Sequence, residues 1–103
     1  MKLYISPEVM QVFQIEIERF GMRDICLTPV WVEGEEPKVW AMCNARNSTE
    51  AMVKLNSGEI SIWVPQACVG ELDEQVIVRG RRGFGIAPIA DSLRSQATPF
   101  VEE

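Results

Sequence analysis

Histidine is absent from all 103 residues. Its absence removes the Ser-His-Asp and Cys-His devices and the commonest general base near neutral pH. It also removes the commonest metal ligand. Cysteine is scarce: Cys26, Cys43 and Cys68 are an odd, widely spaced set with no Cys-x-x-Cys. They form neither a disulfide framework nor a zinc ribbon, and the expectation is reduced, buried thiols in a cytoplasmic protein. No apolar run is long enough to span a bilayer. The start, MKLYISPEV, lacks the apolar core and cleavage site of a signal peptide. A basic surplus is lacking too. Ten basic residues face 15 acidic ones, for a net charge of −5, which disfavours direct nucleic-acid binding.

Hydrophobic residues make up 47% of the chain and charged residues 24%, the balance of a folded globular protein. The length suits one domain, residues 1–103, with 97–103 expected to fray behind Pro99. The densest apolar stretch is 25–46, read as ICLTPVWV, EGEEPK and VWAMCNAR. β-Branched and aromatic runs around a Gly/Pro/Glu loop predict an antiparallel hairpin. Pairing Val32 with Val39 sets Trp31 opposite Trp40, on a face shared with Ile25, Leu27 and Met42. Both faces are mostly apolar, which predicts central strands covered on both sides. Pro29 inside the first strand suggests a bulge, or a strand that starts near Val30.

Before this hairpin, Lys2 to Ile5 can form a short edge strand. Ser6-Pro7-Glu8 is a helix start, with Ser6 as N-cap, and the helix can run to Phe20 and end at Gly21. Val9, Phe13, Ile17 and Phe20 then share a face. Residues 13–18 alternate apolar and polar, so a strand is the competing reading. The two end signals favour the helix. After a polar turn over 44–50, a second hairpin pairs 51–55 with 60–64 across Asn56-Ser57-Gly58-Glu59. With Leu55 opposite Ile60, one face is apolar and the other holds Met52, Lys54, Ser61 and Trp63. Residues 66–74 read as a loop or one short helical turn. A third hairpin pairs 75–79 with 84–86, setting Arg79 against Phe84 and Ile77 against Ile86. A short helix follows over 89–95.

The fold class is therefore α+β: an N-terminal helix packed on an antiparallel meander of about five strands, with a short C-terminal helix. The alternative is a small all-β sandwich or half-open barrel.

Four groups of residues are candidates for function. The turn holding Arg79, Arg81, Arg82 and Phe84 combines guanidinium groups, glycine amides and an aromatic that could stack on a base. It matches neither a P-loop nor a dinucleotide fingerprint. Trp63 and Met52 share the mixed face and suit a partner patch, because tryptophan is frequent at binding hot spots. Trp31, Trp40, Met42 and Phe13 can line an apolar pocket between helix and sheet. Glu33, Glu35 and Glu36 form an acidic loop. It lacks the Asp/Asn spacing of a calcium site, so no metal and no cofactor is expected.

The functional expectation is a non-catalytic protein-binding module: a small acidic inhibitor, adaptor or subunit, from a phage or mobile element. Its partner is another protein, basic or itself nucleic-acid-binding. Self-association is an equally ordinary use of the same surface, and no membrane contact is expected. The alternatives are a small-molecule carrier and a phosphate or nucleic-acid binder acting through residues 79–85.

Overall fold

The computed structural model describes residues 1–21, 23–43, 51–81 and 83–102, with backbone alone at 42 and 43. The polar turn at 44–50 and Arg82 lie outside the described residues. Helix α1 spans Pro7–Phe20. Ser6 caps it, its hydroxyl accepting from the Val9 amide, and Gly21 ends it at φ 68°, a left-handed conformation glycine enters without strain. Val9, Phe13 and Ile17 are its buried stripe. Phe20, expected on that face, is 55% exposed, with the Arg19 guanidinium over its ring.

Eight strands are described: β1 (Lys2–Ile5), β2 (Asp24–Val30), β3 (Lys38–Cys43), β4 (Met52–Ser57), β5 (Ile60–Pro65), β6 (Gln75–Gly80), β7 (Gly83–Pro88) and β8 (Thr98–Glu102). They close into a barrel in the order β1-β6-β7-β3-β2-β5-β4-β8. The molecule is a small mixed α+β domain, and the barrel corresponds to the alternative reading more than to the meander. Two ladders are parallel, β1 with β6 and β2 with β5, and the others are antiparallel. An eight-stranded barrel is just wide enough for side chains to fill. Here Leu3, Ile5, Ile25, Leu27, Leu55, Ile62, Val64, Ile77 and Phe100 belong to one fully buried cluster.

Both mouths are plugged. The strands β1 and β2 lie on opposite sides of the barrel, and α1, about 21 Å long at 1.5 Å per residue, crosses between them. The strands β5 and β6 are similarly distant in the ring. Between them run a 3-10 turn, Gln66–Cys68, and the single-turn helix α2, Val69–Leu72, whose Leu72 is fully buried in the core.

Residues 97–102 do not form the expected tail, and Glu103 lies outside the described residues. The strand β8 pairs with β1 on one side and β4 on the other and completes the ring. Its Phe100 is fully buried, and that burial outweighs the end-fraying expected from Pro99 and the terminal acids. Between β7 and β8 the chain climbs the outside of the barrel through helix α3, Asp91–Arg94. Ile89, Leu93 and Ala97 pack there on Tyr4, Val76, Val78 and Ala87. Arg94 fastens this cover. Its guanidinium donates to the Tyr4 hydroxyl and the Glu74 carboxylate, both at 3.1 Å. Glu74 raises the Arg94 pKa above its ordinary value through that bond, with Tyr4 adding to it. Glu74 itself sits at φ 58°, uncommon for a residue with a side chain. Its amide bonds the Lys2 carbonyl while its carboxylate holds Arg94.

Candidate functional site

The first hairpin decides which tryptophans reach solvent. Val39 faces Pro29 rather than Val32, and Trp40 faces Thr28 rather than Trp31. An odd displacement flips every side chain of one strand relative to the other. Ile25 and Leu27 therefore share the interior with Val39, while Trp40 stands on the outer wall. Trp40 is 66% exposed. Continuing the pairing of Val39 with Phe84 sets Gly83 on its other flank, so neither cross-strand neighbour is large enough to cover the indole.

Pro29 neither bulges the strand nor marks its start; β2 runs from Asp24 through it to Val30. The parallel ladder to β5 ends at Cys26 and Trp63, so the missing proline donor falls where β2 has no β5 partner. Beyond that point a cleft opens in the wall, lined by Thr28, Pro29, Ala51, Pro65, Gln66, Ala67 and Cys68. None of these described lining residues is charged. Thr28 joins the two features, lining the cleft and pairing with Trp40.

Past β2, the expected strand ends early and 31–37 form the loop. Trp31 is 45% exposed and Val32 49% exposed. Glu33, Glu35 and Glu36 are exposed with them. A second, charged cleft is lined by Glu35, Glu36, Pro37, Lys38 and Arg81. Lys38 and Glu35 pair within it at 3.6 Å. The hairpin therefore presents an uncharged cleft on one flank of Trp40 and a cleft carrying both signs of charge on the other.

Of the four residues expected to line a pocket, the three whose side chains are described are not brought together. Phe13 is buried inside the barrel, Trp40 is outside, Trp31 is on the loop, and the side chain of Met42 lies outside the described residues. Phe84 points inward and packs edge-on against Phe13, ring centroids 5.7 Å apart, so it is not presented for stacking on a base. Arg79 and Arg81 are exposed at the tip of the third hairpin. Trp63 and Met52 do share the outer face, both half-buried. Trp63 is tied into the wall: its Nε1 donates to Asp24 at 2.9 Å and Lys54 lies over its ring. Cys26 is buried, Cys68 is half-buried in the uncharged cleft, and the side chain of Cys43 lies outside the described residues.

Sequence reasoning missed Trp40 as an exposed residue and missed the cleft beside it. The available signals were Pro29, which limits pairing on one edge of β2, and the glycines Gly83 and Gly85, which leave a strand neighbour bare. No helix among the described residues is long and apolar enough to cross a membrane. Compared with family models, curated proteins and solved structures, the chain matches none.

Proposed function

We propose that this chain is a non-catalytic protein-binding module, a small acidic inhibitor, adaptor or subunit, and that it binds through the outer face of the first hairpin. One observation carries the reading: Trp40 is 66% exposed on a regular barrel wall, beside an uncharged cleft. Exposed tryptophan next to a recess is the arrangement found at the centres of protein interfaces. Trp31 and Val32 extend the apolar surface, and contiguous surface of this kind marks interaction sites. The absence of histidine supports a non-catalytic role. The cysteine pattern supports a reducing, cytoplasmic setting.

The test is capture of binding partners from native lysate by tagged wild type and by Trp40→Ala. The expected result is a stoichiometric protein retained by wild type and lost from the variant, with an unchanged melting temperature. A folded Trp40→Ala variant that keeps the same partner overturns the reading.

A further inference from the structure

We infer that the occupant of this face is a second copy of the same chain, each Trp40 seated in the uncharged cleft of the other. The inference rests on the protein-binding reading above and names the partner. A two-fold interface must be self-complementary, so that whatever one subunit projects, the same surface must also receive. This face meets that condition in shape. Trp40 projects from β3, and the cleft lined by Pro29, Pro65 and Ala67 opens on the far side of Thr28, its cross-strand neighbour.

It meets the condition in charge as well. Here Glu35 and Glu36 stand beside Lys38 and Arg81 in one cleft, so opposite signs are available to both subunits across a two-fold axis. The described lining of the cleft that would take the indole carries no charged side chain, which suits an apolar ring.

A stable interface needs about 800 Å² per partner, roughly an eighth of the 6617 Å² this chain exposes.

Sedimentation velocity of the whole chain tests this. At about 100 µM, where even a contact of ~10 µM affinity is mostly formed, wild type is expected as a dimer. Loss of a central tryptophan anchor in Trp40→Ala should weaken self-association by about 30-fold. Ala67→Trp, at an exposed position, fills the cleft and should also give a monomer. Mixing the two variants should restore association, because one supplies an open cleft and the other an intact Trp40. Far-UV circular dichroism establishes that both variants are folded. A monomeric wild type, a dimer indifferent to Trp40→Ala, or a mixture that stays monomeric overturns the inference. If wild type is monomeric yet Trp40→Ala loses a partner from lysate, the binding reading stands and this choice of occupant fails.

Discussion

The outer surface of the barrel has two walls that began with the same problem and solved it differently. Over β1, β6 and β7, the outward residues Tyr4, Val76, Val78 and Ala87 are apolar, and the chain covers them itself with Ile89, Leu93 and Ala97. Arg94 fastens that cover to Tyr4 and Glu74. Over β3 and β2, the outward residues include Trp40 and Thr28, and both stay exposed. A strand surface that is apolar on both sides needs two covers; the first wall has a packed one, while on the second Cys26 is buried and Trp40 and Thr28 are not. Burial on the covered wall contributes to stability, whereas the bare tryptophan contributes little and is available for binding.

Four substitutions probe that contrast. The largest effect is expected where β8 completes the ring: Phe100→Ala removes a fully buried ring and should destabilise by about 3–5 kcal/mol in equilibrium denaturant unfolding. A change below about 1 kcal/mol would mean that the barrel does not depend on its closing strand. On the covered wall, Leu93→Ala should lose about 1–2 kcal/mol, less than a fully buried leucine because Leu93 is half-buried. Arg94→Ala is a milder change, since its ion-pair partner Glu74 is half exposed to water. Hydrogen exchange of residues 89–97 should quicken while that of β2 and β3 does not.

The sign of the Arg94 shift bears on this fastening. A raised pKa favours the charged form, so the stabilisation it reflects is complete below the ordinary arginine value and is lost only above it. From the arginine side, the fastening is therefore constant across the physiological range. The smallest stability effect is expected on the bare wall, where Trp40→Ala should stay within about 0.5 kcal/mol of wild type. A loss above about 2 kcal/mol would make Trp40 a structural residue and erase the difference between the walls.

Local signals were legible in proportion to how tightly geometry constrained them. The third hairpin was read in register, Arg79 with Phe84 and Ile77 with Ile86, because a tight glycine turn fixes the pairing. The helix was read end to end from Ser6, Pro7 and Gly21. In the second hairpin Leu55 faces Ile62 rather than Ile60, a displacement of two that leaves both faces as expected. Gly58, at φ 60°, opens its two-residue turn, which fits the type II′ form. The first hairpin has a long loop with no such constraint. An error of three placed Trp40 inside and made a pocket of residues that lie on both sides of the wall. The acidic loop is exposed, and Trp63 lies on the expected face with Met52, although its indole is committed to Asp24. Ring closure was out of reach, since β8 has no turn connecting it to either neighbour and its sequence resembles a tail.

The closing ladder carries a kinetic consequence. Among its contacts are Met1 and Glu102, 101 positions apart, and the ring has no path around β8. Both crossings of the barrel mouths likewise join strands that are not neighbours. Little of the favourable burial can be collected until ends distant along the chain have met, so loop-closure entropy is spent before most contacts form. Folding should accordingly proceed on the millisecond-to-second scale of non-local β topologies. Until β8 docks, the edges of β1 and β4 stay unpaired, and a chain still being synthesised presents both to its neighbours.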